Sequence, residues 1–144
     1  MTSVFLDTDI LIDFLSGREP FGKDAIVLMN LVDKNEINAY TSSLSFSNLY
    51  YLSRKFASHN LVIEKLKELS ELIGILKVDD DSIRSALNSP FNDFEDAIQY
   101  FCTTKYKRIE MIITRNVRDY KYAKLPVMSP ETFLKLYSSG EIVT

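Results

Sequence analysis

Short apolar runs of strand length alternate along this chain with stretches of helical periodicity, and that alternation restricts the fold more than any other feature. Residues 3–7, 36–41, 75–78 and 110–114 read as strands, with 126–128 a short fifth. Helices are predicted over residues 9–16, 23–34, 43–56, 60–73, 81–87, 93–105 and 130–137. The clearest is 60–73, where Ile63, Leu66, Leu69, Leu72 and Ile73 recur at three- and four-residue steps against Glu64, Lys65, Lys67, Glu68 and Glu71. Strands separated by helices imply a parallel sheet with right-handed crossovers. With no linker, repeat or low-complexity segment, one α/β domain over residues 1–144 is expected, with four to five strands and a protruding helical hairpin between residues 43 and 73.

Four places in this pattern put a carboxylate or a small polar group directly after an apolar run. They are Asp7-Thr8-Asp9, the stretch from Ser43 to Asn48, Asp93-Phe94-Glu95-Asp96, and Thr114-Arg115-Asn116 running on to Asp119. Carboxylates bury poorly unless paired or bound to a cation. In open α/β sheets the ligand site lies beyond the carboxyl ends of the strands, where Asp7 and Thr114 are expected. Asp7 is the first candidate ligand. Asp9 is either a second ligand or, the preferred expectation, the N-cap of the first helix. Asp93 and Asp96 are three apart on a helix and can face one site, although Asp93 equally suits an N-cap. Asp13 and Glu95 are expected to face solvent. The triplet Asp79-Asp80-Asp81 reads as a helix cap with dipole-favoured charges, not as a metal site.

The scarcity of soft ligands narrows the chemistry. Cys102 is the only cysteine and His59 the only histidine, so a metal site here must be mostly oxygen, which points to Mg²⁺ or Mn²⁺. Cys102 is expected in the core. The net charge is −3, but residues 105–124 hold seven basic residues against Glu110 and Asp119, so that window carries +5 and the remainder −8. A basic strip beside an acidic pocket suits a protein that holds phosphates on one and metal in the other; a solvated face is the competing interpretation. Arg115, Arg118 and Lys121 are the candidate phosphate contacts, and Tyr120 and Tyr122 either stack on bases or pack in the core. No apolar run approaches a membrane span and no signal peptide is recognisable, so a cytoplasmic location is expected.

In order and spacing the four elements resemble the PIN-domain family of small metal-dependent ribonucleases, many of them toxin components in prokaryotes. The resemblance runs from Val4 to about Pro130. It implies a three-layer fold and a divalent-metal-dependent endoribonuclease, with Asp7, Asp96 and Asp119 as metal ligands. Asn48 and Thr114 would support them, with Asp9, Asp93 and Asn116 as outer or alternative ligands. Asn48 stands where the family carries Glu, as in a subgroup of PIN-like proteins, and it brings an oxygen without a charge. The resemblance also implies an RNA substrate, a small antitoxin protein as partner and a homodimer. Because one carboxylate is lost, a PIN fold that binds RNA or protein without cutting is the alternative.

Overall fold

A computed structural model describes residues 1–142. Five parallel strands lie in the order β3-β2-β1-β4-β5, with β1 at Ser3–Leu6, β2 at Asn38–Ser42, β3 at Gly74–Leu76, β4 at Met111–Ile113 and β5 at Val127–Met128. Seven α-helices connect and cover them: α1 Thr8–Ser16, α2 Gly22–Asp33, α3 Ser43–Ser53, α4 His59–Leu72, α5 Asp80–Leu87, α6 Phe94–Thr104 and α7 Pro130–Ser138. The expected architecture is present, and α3 packs on α4 as the predicted helical pair. A 3-10 turn at Val117–Tyr120 interrupts what the sequence left as a connection between β4 and β5. Among the described residues no helix is long and apolar enough to cross a membrane.

The central strand shows why the sheet has two covered faces. All four residues of β1 are buried, as expected of a parallel strand between helical layers. Strand side chains alternate, so Val4 and Leu6 join Ile10, Leu11, Leu28 and Phe133 on one side. Phe5 joins Tyr100, Cys102, Ile112 and Tyr120 on the other. The Cys102 thiol is buried, faces the Lys77 carbonyl at 3.3 Å, and is pushed up to about 11 mainly by burial. It is therefore a core residue with little thiolate character.

Strand order also locates the place where a site can form. From β1 the chain moves outward to β2 and β3, then crosses back to pair β4 on the other flank of β1. The crevice outside the carboxyl ends of β1 and β4 is thus the topological switch point. There Asp7 N–H still donates to the Ile113 carbonyl at 3.1 Å and Thr114 N–H to that of Met128 at 3.0 Å. Both residues are therefore fixed by the sheet although they stand just past it.

Candidate metal centre

Asp7 is the most constrained side chain in this crevice. It caps α1 in extended backbone conformation, its Oδ1 accepting from Thr8 N–H at 2.7 Å. Gln99 Nε2 donates to the same oxygen at 2.7 Å. Thr114 Oγ1 donates to Oδ2 at 2.7 Å, and the Tyr120 hydroxyl lies 3.3 Å from it. Four donors thus hold one buried carboxylate, two at each oxygen, the Tyr120 contact being the longest.

The cap assignment corrects the sequence expectation. Helix α1 begins at Thr8, so Asp9 lies in its first turn and not at its cap. Its Oδ2 accepts from Arg115 N–H at 3.1 Å and from Asn116 Nδ2 at 3.3 Å. Its Oδ1 is buried and has no hydrogen-bond partner among the described residues. Burial, then the nearby Asp7 carboxylate, raise Asp9 from 3.8 to about 7, against the lowering effect of the Arg115 N–H.

Asp96 approaches from the start of α6. Asp93 caps that helix, accepting from Asp96 N–H at 2.9 Å, so the cap role is the one observed, with the Asp93 side chain also on the crevice wall. Asp96 is buried and its Oδ1 lies 3.3 Å from the Tyr120 hydroxyl. Burial, followed by Asp7, Asp93 and Asp119, pushes Asp96 up to about 8. Tyr120 itself is raised well above its ordinary value by burial and by Asp7, Asp96 and Asp9, so it stays a proton donor.

These groups line an open cleft of about 480 Å³. Asp7, Asp9, Asp93, Asp96 and Asp119 all border it, as do Asn48 from α3 and Asn116 from the turn after β4. Glu95, expected in solvent, borders it too, with Oε1 3.4 Å from Thr8 Oγ1. Thr114 does not border the cleft but reaches it through Asp7.

Two further residues, Asp13 and Arg115, have roles that differ from the sequence expectation, and the alternatives open for Tyr120 are decided. Asp13 is only 1% exposed; it is not a surface residue. Arg115 explains this: Nε and Nη2 donate to the two Asp13 oxygens at 2.6 and 3.3 Å, and the guanidinium lies 4.0 Å from the centre of the Phe21 ring. Arg115 is thus turned away from the cleft, toward α1. Tyr120 is buried and cannot stack on a base, whereas Tyr122 is exposed. Arg118 and Lys121 remain exposed on either side of Asp119, while Lys105 is tied to Asp79 at 2.6 Å. Asp79 caps α5 and is held at about 2, chiefly by the Lys105 hydrogen bond. The basic strip of the sequence is therefore divided among several places.

Gln99 is the site residue that sequence reasoning missed. Fully buried, it donates to Asp7 while its Oε1 accepts from Ser45 and from Ser42, the latter at 3.2 Å. Ser45 also meets Thr8 Oγ1 at 2.8 Å, so a serine–glutamine relay joins α3, α6 and α1 behind the cleft. The available signal was spacing: Gln99 is three residues after Asp96 and shares its helical face.

The donor set suits a hard divalent cation. All candidate ligands are oxygens, and Asp9 offers a buried oxygen without a partner. Among the described residues no three acidic, histidine or cysteine side chains converge as a finished cage. Mg²⁺ does not require one, since it keeps several waters and takes one or two carboxylates.

Solved structures with this architecture include a toxin–antitoxin complex from Klebsiella pneumoniae, at 23% identity and a TM-score of 0.62, the match covering 88% of this chain and 97% of that one. FitAcB from Neisseria gonorrhoeae aligns at 17% identity and a TM-score of 0.66, over 89% and 98% of the two chains. VapC20 from Mycobacterium tuberculosis, a sarcin–ricin loop cleaving toxin, aligns at 16% identity and a TM-score of 0.59, over 76% and 86%. At these identities the likeness is one of fold. No curated protein matches the chain in sequence. The sequence does match the PIN domain family over residues 3–118, and with its strand-end carboxylates gathered at one crevice, the chain belongs to that family.

Proposed function

We propose that this protein is a divalent-metal-dependent endoribonuclease that hydrolyses RNA phosphodiesters. The observation that carries the proposal is that Asp7, Asp9 and Asp96 all line one cleft that no lysine or arginine lines among the described residues. Three carboxyl groups so placed repel one another, and a cation is the simplest partner that restores their charge. Asp7 and Asp96 would hold Mg²⁺ or Mn²⁺ directly, with Asp119 third and Asp9 as outer or alternative ligand. When bound, the cation supplies Lewis-acid stabilisation of the charge that develops at the phosphodiester.

The chain's own residues supply position and proton control. Thr114 and Gln99 fix the two Asp7 oxygens, so the carboxylate pays no reorientation cost when it engages. Asn116 and the Arg115 N–H aim Asp9. Asn48, in place of a carboxylate, offers a carbonyl oxygen or a hydrogen bond and makes the centre less charged. Arg118 and Lys121 would neutralise flanking phosphates. The structural neighbour from K. pneumoniae is a toxin–antitoxin complex; by analogy this chain would act in the cytoplasm as a homodimeric toxin, restrained by a small antitoxin.

The test is cleavage of a mixed-sequence single-stranded RNA with Mn²⁺. Wild type is expected to cut, and Asp7→Asn and Asp96→Asn to fall below about 1% of that rate while keeping the wild-type circular dichroism spectrum. Equal cutting by all three would remove these carboxylates from the reaction. Absence of cutting by wild type would favour a PIN fold that binds without cleaving, the reading that Asn48 supports.

A further inference from the structure

Besides the carboxylates, Ile12 of α1 and Tyr51 and Leu52 of α3 line the cleft. With no cation among the described lining residues, Coulomb repulsion opposes entry of an RNA strand, and only a bound metal reverses it locally. Substrate grip therefore needs a contribution that is not ionic.

Tyr51 is built to provide one. Its side chain is 69% exposed, unusual for so large an aromatic group. It lies three residues after Asn48, on the same helical face. Tyr50 meets the ring edge-on with centroids 5.2 Å apart. Tyr50 is itself anchored: its hydroxyl lies 2.9 Å from His59 Nδ1 and accepts from Arg54 Nη1 at 3.1 Å, and the His59 ring packs edge-on against it at 5.7 Å. A buttressed ring with an open face is what base stacking requires, and every base has a π-face to offer.

We propose that Tyr51 is the platform for one unpaired base of the RNA, the nucleotide flanking the phosphodiester presented to Asp7 and Asp96. The proposal rests on the ribonuclease reading and adds to it the ring that would hold one unpaired base. Bases inside a duplex are already stacked and have no free face for the ring.

The experiment measures binding of a single-stranded RNA carrying 2-aminopurine to the full chain in Ca²⁺, by fluorescence, beside Mn²⁺-dependent cleavage of the same RNA. Wild type is expected to quench the probe, through stacking. Tyr51→Ala should weaken binding about tenfold and abolish the quench, and Tyr51→Phe should restore both to within about twofold, because stacking needs the ring and not the hydroxyl. A duplex of the same sequence should compete poorly. Unchanged binding and quench in Tyr51→Ala overturns the proposal, as does a Tyr51→Phe variant no better than Ala. Wild type that quenches without cleaving defeats the ribonuclease reading and leaves the platform standing. Wild type that cleaves, with an unchanged KM in Tyr51→Ala, does the reverse.

Discussion

Arg115 ties two parts of the molecule together, one through its backbone and one through its side chain. Its backbone N–H positions Asp9 at the cleft, while its guanidinium neutralises buried Asp13 from behind. The turn that carries Phe21 over it is tightly made: Gly17 takes a positive φ of 63°, and a Cβ at Gly22 would stand 2.5 Å from the Gly17 carbonyl carbon. Removing the arginine leaves a carboxylate buried, with only Arg18 at 3.6 Å to replace it. Arg115→Ala is therefore expected to cost about 3 kcal/mol in denaturant unfolding. Arg115→Lys should recover only part, since lysine has neither the planar fork nor the stack on Phe21. An unchanged midpoint, with weakened RNA binding, would return Arg115 to phosphate contact.

The N-terminus of α6 concentrates the chemistry of one element. Asp93, Glu95 and Asp96 gather where the helix dipole favours negative charge, yet they also repel one another, and Asp93 contributes to the elevation of Asp96. Asp93→Ala should accordingly do two opposed things. Loss of the cap costs about 1 kcal/mol of stability. Loss of the neighbouring charge moves the Asp96 titration downward, which NMR of the side-chain carboxyl carbon would follow. An unmoved titration would mean that burial, Asp7 and Asp119 set Asp96 without help from Asp93.

What the sequence revealed at this scale follows from what periodicity encodes. Strand and helix order were legible because both faces of a parallel sheet demand apolar runs, and the crevice was legible because Asp7 and Thr114 end such runs. Periodicity does not say which helical face meets which partner. Gln99 therefore looked like any polar residue, Asp13 looked exposed, and Tyr120 looked equally suited to base stacking and to the core. Each is decided by contacts across 21 to 113 residues of sequence.

At the scale of the whole molecule, the cleft makes stability depend on pH in an unusual direction. Asp9 and Asp96 rise from 3.8 to about 7 and about 8 on folding, so the native state holds protons that the unfolded chain releases. Without metal, this part of stability is full below about pH 4 and declines as pH rises toward 8. Asp79 acts in a separate window, its contribution being lost only as pH falls toward 2. The melting temperature of metal-free protein is thus expected to fall between about pH 5 and pH 8, and Mg²⁺ to restore more of it at the upper end. Asp96→Asn should flatten the decline and raise the metal-free melting temperature near pH 8 by about 2–4 °C. A wild-type melting temperature that climbs across this range would contradict the arrangement.

The two flanks of the sheet carry a consequence for assembly. The outermost strands, β3 and β5, are three and two residues long. Unpaired strand edges are the usual template for illicit pairing with another chain, and brevity is one of the ways proteins blunt them. Here neither border is long enough to nucleate a continuous intermolecular sheet. Association of copies of this chain is therefore expected to rest on side-chain contacts, where register is set by shape and charge, rather than on backbone hydrogen bonds of a continued sheet. Such contacts can separate again without unravelling the fold.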